Sequence, residues 1–259
     1  MKRIVFVDVD GTIYKSRHNS IDESVGEALH ELSKYADIYL ATGRCDAALA
    51  PIGDAIKYFK GLVLTNGALV YLNDKIIVDE VMKKEDVAEL VTTAKELNMN
   101  IALISKDKVY VKEFNDIVNT ALSPYKEDAV IDLHGYNFDL TQDYNMAWSF
   151  DYNEKILEFE ERCDKFSIFD WGAIGADIIV KNVSKAHGIQ ELLKHLDKDI
   201  ITYAIGDSNN DLEMFDLVDI PICMANGSDK AKAKAKHITE SIHDAGFEKA
   251  VRRIIKGEW

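Results

Sequence analysis

Two aspartates spaced i, i+2, Asp8 and Asp10, close the apolar run Ile4-Val-Phe-Val7 and are followed at once by Gly11 and Thr12. In an extended chain the i and i+2 side chains point the same way, so two short carboxylates share one small volume. Left alone they repel, and one is forced to keep a proton. Mg²⁺ held between them and a further acidic group lets both ionise. Gly11 permits a sharp turn. The plainer alternative is an Asx turn that merely ends a strand.

Three further segments also fall at strand ends. Ala41-Thr42-Gly43-Arg44 offers a hydroxyl and adjacent backbone N–H groups at a strand-to-helix turn, which suits a phosphate oxygen. A simple cap reads equally well there. Lys185, in Val183-Ser-Lys-Ala-His-Gly-Ile189, starts a predicted helix and is a point charge suited to phosphate. Taken alone, it reads as a surface lysine. The fourth segment runs from Ala204 through Gly206, Asp207, Ser208, Asn209 and Asn210 to Asp211. A helical turn would bring Asp207 and Asp211 towards one point. Its alternative is an N-cap aspartate with a solvated neighbour. Carboxylate donors without a His or Cys cluster select a hard cation, Mg²⁺ above Zn²⁺.

Such residues need a frame that brings distant segments to one edge. Apolar strands at 4–7, 37–41 and 61–65 alternate with helices. The first helix carries Ile21, Val25, Ala28, Leu29 and Leu32 behind a capping box, Ser20-Ile-Asp-Glu23, and a short second helix covers 46–57. This order predicts an α/β fold with a doubly wound, mostly parallel sheet. The continuous apolarity of the strands indicates burial on both faces. In open sheets of this kind the ligand crevice lies at the carboxyl ends of the strands, where all four segments fall. A hairpin turning at Asn73-Asp74 follows.

The texture changes from about residue 82. A helix at 84–97 precedes strand-like Asn100–Ser105 and Val109–Phe114, which are joined by the charged turn Lys106-Asp107-Lys108. Irregular stretches around Trp148 lead to strands at 166–172 and 176–182. The βα alternation then returns, with helices at 184–196, 209–216, 228–235 and 244–256 and strands ending at 207, 223 and 239. Residues 1–81 and 182–259 therefore read as one α/β domain. Residues 82–181 read as an inserted α+β domain with an antiparallel sheet.

The formal net charge is −14, which opposes nucleic acid or membrane partners. A composition of 47% hydrophobic and 29% charged residues is that of a globular chain rather than a disordered one. Cys45, Cys163 and Cys223 lack any CxxC pairing and read as buried, reduced thiols. No apolar stretch approaches the length of a membrane helix, and Asp8 and Asp10 interrupt any signal-like run. The expectation is a soluble, cytoplasmic protein.

Taken together, Asp8-Val-Asp10-Gly-Thr12, Thr42-Gly43-Arg44, Ser184-Lys185 and Gly206-Asp-Ser-Asn-Asn-Asp211 resemble the haloacid dehalogenase (HAD) superfamily of phosphohydrolases. The long insert resembles the large cap of the Cof-like sugar-phosphate phosphatases. The chain departs from the family pattern at Ala186, where Gly is frequent, at Met224-Ala-Asn-Gly227 and at Asp244-Ala-Gly-Phe247. The resemblance implies Asp8 as nucleophile and Asp10 as general acid and base. It implies Mg²⁺ bound by the Asp8 and Asp207 carboxylates and the Asp10 carbonyl, with Asp211 holding a water on the metal. Thr42, the Gly43 N–H, Lys185 and Asn210 would surround the phosphoryl oxygens.

The cap would move over the crevice and select a small phosphate ester through residues within 110–180. Trp148, Trp171 and Tyr144 read as core, with sugar stacking as the alternative. His134 and His187 read as ordinary histidines. The implied activity is Mg²⁺-dependent hydrolysis of small phosphorylated metabolites, sugar phosphates foremost. Phosphoryl transfer to a second sugar hydroxyl and a non-catalytic metabolite-binding regulator are the alternatives.

Overall fold

The computed structural model describes residues 2–15, 18, 20–106, 108–122, 131–133, 135–171 and 174–259. Asp107 of the charged turn, His134, and residues 123–130, 172 and 173 of the stretch expected to set specificity lie outside the described residues. The chain forms two compact units. One comprises Met1–Gly43, Ala50–Val78 and Ser184–Trp259, and the other Arg44–Leu49 and Asp79–Val183.

The first part of the chain supplies β1 (Lys2–Val7), α1 (Glu23–Leu32), β2 (Asp37–Ala41), β3 (Phe59–Leu64), β4 (Leu69–Leu72) and β5 (Lys75–Asp79). The middle supplies α2 (Lys84–Glu96), β6 (Ile101–Ile104), β7 (Val109–Val111), α3 (Asp116–Leu122), β8 (Ile131–Leu133), β9 (Met146–Ser149), α4 (Asn153–Arg162), β10 (Phe166–Asp170) and β11 (Ala176–Val180). The last part supplies α5 (Lys185–Leu193), β12 (Ile200–Gly206), α6 (Leu212–Leu217), β13 (Ile220–Cys223), α7 (Asp229–Lys234), β14 (His237–Ile238) and α8 (Gly246–Lys256).

In the first unit the sheet order is β14-β13-β12-β1-β2-β3-β4-β5. Pairing is parallel from β14 to β3 and antiparallel between β3 and β4. From β1 the chain winds outward through β2 and β3. After β12 it winds outward the other way, through β13 and β14. The winding therefore reverses between β1 and β12, and such a reversal opens a crevice at the carboxyl ends of the two strands. Register places Val7 opposite Ile205 on one side and Leu40 on the other.

Burial explains why β1 is apolar at every position from Ile4 to Val7. Ile4 and Phe6 pack with Tyr39, Val63, Ile189, Leu192, Met214 and Phe215, and Val5 and Val7 are equally buried on the alternate face. Each such side chain contributes about 1.5–3 kcal/mol relative to exposure. Helices α1 and α8 pack on one another and bury Val25, Leu29, Phe247 and Ile254.

Two local expectations fail here. Helix α1 starts at Glu23 with Asp22 as N-cap, so the box from Ser20 to Glu23 does not form. The Asp22 carboxylate pairs with Lys15 instead. The predicted helix at 46–57 is two 3₁₀ segments, Asp46–Ala48 and Ala50–Tyr58. Pro51 lacks an N–H, and Gly53 at φ +53° breaks the helical path. The β4–β5 hairpin does turn at Asn73 and Asp74, both with positive φ.

In the second unit the sheet order is β10-β11-β9-β6-β7-β8. It departs from the expected antiparallel sheet at one pair, since β7 and β8 run parallel. α3 separates those two strands, and a crossover of this kind is what parallel pairing requires. Val87 and Leu90 of α2 and Phe159 of α4 pack with Ile101, Leu103 and Ile178. The stretches read as irregular contain β9, α3 and α4. α4 buries only Ile156 and Phe159, so its apolar signal in the sequence is thin. Tyr144 and Trp148 are core residues. Trp171 is half-buried, lies edge-on to Trp148 at 6.1 Å and donates to Asp177 at 3.1 Å. The three cysteines are buried and free. Among the described residues, no helix is long and apolar enough to cross a membrane.

Candidate active site

The Asp8 N–H donates to Ile205 O at 2.9 Å, so the parallel β1–β12 ladder continues one residue past Val7 and carries Asp8 to the sheet edge. β12 delivers Asp207 to the same edge. Asp8 is 3% exposed, while Lys185 and Asp211 are fully buried. The Lys185 ammonium donates to Asp8 Oδ1 at 2.6 Å and to Asp211 Oδ1 at 2.7 Å. Lys185 is therefore not the surface lysine its local sequence suggests. Ser184 caps α5 by accepting from the His187 N–H at 3.3 Å, which starts the helix at Lys185.

Asp211 does not face outward from a helix. It ends a 3₁₀ turn, Asn209–Asp211, and its Oδ2 accepts from the Asp207 and Ser208 N–H groups, both at 2.9 Å. With its other oxygen on Lys185, both ends of this carboxylate are engaged. Asp207 is arranged differently. Its Oδ2 accepts from Asn226 Nδ2 at 3.4 Å, and its Oδ1 is buried with no hydrogen-bond partner. One carboxylate oxygen from each of Asp8, Asp207 and Asp211 lies within 4.8 Å of the others.

Asp10 lies beyond the strand, on a tight turn in which Val9 O accepts from the N–H groups of Thr12, Ile13 and Tyr14. Its carboxylate is not one of the three grouped oxygens, because β1 stops at Val7 and strand alternation does not extend to Asp10. Gly11, at φ +79°, makes the turn. A Cβ at this position would lie 2.1 Å from Asp207 Oδ2. Only glycine lets the two strand ends approach this closely.

Thr42 follows β2 at the same edge and is buried, with Gly43 half-buried beside it. The Thr42 N–H donates to Val63 O at 2.9 Å. Asn210 Oδ1 accepts from Ser208 Oγ at 2.6 Å, and Asn210 Nδ2 donates to Asn66 Oδ1 at 3.0 Å. Asn66 falls in none of the sequence motifs, and Asn226 enters only within Met224-Ala-Asn-Gly227, with no role attached to it. The signals for them were slight: an Asn-Gly pair after β3, and Asn226-Gly227 after β13.

Burial pushes the Asp8 carboxyl up to about 7, with Asp211 adding to the rise and Lys185 opposing it. Burial, Asp8 and Asp211 push Asp207 up to about 8. Burial works against the Lys185 charge, but Asp211 and Asp8 outweigh it and hold the ammonium above its ordinary range. The cluster is thus short of positive charge. An orphaned buried carboxylate oxygen and an all-oxygen donor set fit a hard divalent cation.

Haloacid dehalogenase-like hydrolases, as a family, match this chain over residues 5–251. "Putative phosphatase YkrA" of Bacillus subtilis (strain 168) is 26% identical, with 97% of each chain covered. The HAD subclass IIB sugar phosphatase BT4131 has the same fold at a TM-score of 0.88 and 22% identity, covering 98% of this chain and 99% of its own. BT1666 from Bacteroides thetaiotaomicron, described among the phosphatases of the haloalkanoate (HAD) enzyme superfamily, aligns at a TM-score of 0.84 and 23% identity, covering 98% and 95%. The family match spans nearly the whole chain and includes every strand end that carries a candidate residue: this protein belongs to the haloacid dehalogenase-like hydrolases.

Proposed function

We propose that the protein is an HAD-type phosphomonoester hydrolase that acts on small phosphorylated metabolites, sugar phosphates foremost, through an aspartyl-phosphate on Asp8. The observation that carries this reading is Lys185, buried between Asp8 and Asp211 at the switch-point edge of the sheet. A buried lysine balances a nucleophilic carboxylate, so that a phosphate dianion can approach it. The name of BT4131, a sugar phosphatase, supports the substrate class.

Asp8 attacks phosphorus, and the bond to the leaving oxygen breaks. Asp10 gives that oxygen a proton and then takes one from the water that attacks the aspartyl-phosphate. Phosphate leaves and Asp8 is restored. Thr42, the Gly43 N–H, Lys185 and Asn210 hold the phosphoryl oxygens. Asp8, Asp207 and the Asp10 carbonyl would hold Mg²⁺, with Asp211 behind them, its oxygens already committed to Lys185 and the turn. When bound, Mg²⁺ supplies positive charge against the carboxylates and the phosphoryl oxygens. We assign the chemistry to residues 1–81 and 182–259 and substrate selection to residues 82–181.

A panel of phosphate esters assayed for phosphate release tests the reading. Release should depend on Mg²⁺ and stop with a chelator. Absence of release across the panel, or release indifferent to the chelator, contradicts it.

The raised carboxyls give a second expectation. Between its ordinary value of 3.8 and about 8, Asp207 keeps a proton in the folded chain that the unfolded chain has shed. Its contribution to stability therefore falls as pH rises through that window. Mg²⁺ needs the ionised carboxylates, so its binding releases protons and tightens with pH. Thermal melting should show a larger upward shift with Mg²⁺ at about pH 8 than at about pH 6. An equal or smaller shift at the higher pH would count against Asp207 as a ligand.

A further inference from the structure

The loop after β3, Thr65-Asn66-Gly67, belongs to none of the four sequence segments, yet it touches three of them. The Asn66 N–H donates to Thr42 O at 3.0 Å. Asn66 Oδ1 accepts from Asn210 Nδ2 at 3.0 Å. Gly67 abuts the start of α5, where a Cβ would lie 2.0 Å from the Ser184 carbonyl oxygen and 3.0 Å from Gly188 N.

This turn is costly to hold. Thr65 and Asn66 both have φ of +49°, in the left-handed region, and Thr65 is β-branched. Both are buried, and the Thr65 hydroxyl has no hydrogen-bond partner. Strain of this kind persists only where the surroundings over-determine it, and it concentrates at functional sites.

The hydrogen bond to Asn210 has a specific consequence. A carboxamide has a donor end and an acceptor end of nearly equal shape, and a flip exchanges them. A phosphoryl oxygen needs the donor end. Ser208 cannot set the orientation, because its hydroxyl can either donate or accept. Asn66 Oδ1 can only accept. With Asn66 presenting Oδ1, the Asn210 end that faces it is Nδ2, and one of the two Nδ2–H groups is engaged there. Building on the phosphate cradle proposed above, we propose that Asn66 is a positioning residue, one that holds the Asn210 carboxamide with its donor end available to a phosphoryl oxygen.

Asn66→Gly isolates this role, because glycine adopts the left-handed backbone freely and only the carboxamide is lost. The measurement is inhibition of p-nitrophenyl phosphate hydrolysis by inorganic phosphate, with saturating Mg²⁺. It compares the wild type, Asn66→Gly, Asn210→Ala and the double variant. Each single change should weaken phosphate binding roughly tenfold, the scale for a hydrogen bond to a charged group. KM should rise by a similar factor, with kcat much less affected, as when binding shared by ground and transition states is lost. The double variant should bind phosphate no more weakly than Asn210→Ala alone.

Thermal melting of the same variants reports any purely structural share of the turn, which would lower the melting temperature and leave phosphate affinity in place. Unchanged phosphate inhibition in Asn66→Gly, or factors that multiply in the double variant, overturns this inference alone. Unchanged inhibition in Asn210→Ala overturns the cradle as well. If the glycine variant does not fold, Asn66→Ser takes its place with the same expected shift.

Discussion

Asp8→Asn should lower kcat for phosphate ester hydrolysis by a factor on the order of 10⁴ or more, the scale of loss when an enzyme's nucleophile is removed. The change is nearly isosteric. The amide oxygen can still accept from Lys185, which also keeps Asp211 as a partner at 2.7 Å. Asn cannot form the acyl phosphate, because a carboxamide oxygen is a poor nucleophile. The fold should not suffer. Asp8 is a buried carboxyl raised to about 7 by burial, with Asp211 and Asp10 also pushing it up. Burial outweighs the Lys185 attraction that opposes it, so removing the charge relieves more than it loses, and the melting temperature should equal or exceed that of the wild type. Loss of turnover with retained stability separates a chemical role from a structural one. Equal turnover of mutant and wild type would refute the assignment.

Lys185→Met should fail in both respects. Methionine fills much of the same volume, but it removes the cation that touches Asp8 and Asp211. Two buried carboxylates are then left facing each other beside Asp207. Breaking a buried ion pair by removing one partner costs about 3–5 kcal/mol, because the remaining charge is uncompensated. Denaturant unfolding should show a loss of that order. kcat/KM should fall by about 10²–10³, the scale for removing one charge-stabilising group. Lys185→Arg should restore little of either, since a planar guanidinium fork does not reproduce the point contacts that the buried ammonium makes with Asp8 and Asp211. A Lys185→Met protein as stable and as active as the wild type would remove the main observation behind the phosphatase reading.

The ends of β1 and β12 were legible because a strand buried on both faces must be apolar throughout, which makes Asp8 and Asp207 conspicuous where the apolar run stops. Lys185 was illegible by itself. Its burial comes from partners 177 and 26 residues away, and local sequence carries no trace of them. Asp207 and Asp211 do come together, as their spacing predicts, but through a different turn. Four-residue spacing describes an α-helical turn, whereas the chain forms a 3₁₀ turn and uses the carboxylate to tie its own N–H groups. Asn66 has no motif signature, because its left-handed turn and its amide contact with a residue 144 positions away leave no local pattern. In the second unit, α4 and α3 leave little periodic signal because each buries only two side chains. Periodicity detects a face that is buried along its length, not a helix held by a few residues.

The central claim is that phosphorus passes through Asp8 before it reaches water. Hydrolysis of an isotopically chiral phosphate monoester in labelled water tests it most directly, because each in-line displacement inverts the configuration at phosphorus. Attack by Asp8 followed by attack by water makes two displacements, so net retention is expected. Net inversion would mean a single direct attack by water and would contradict the account.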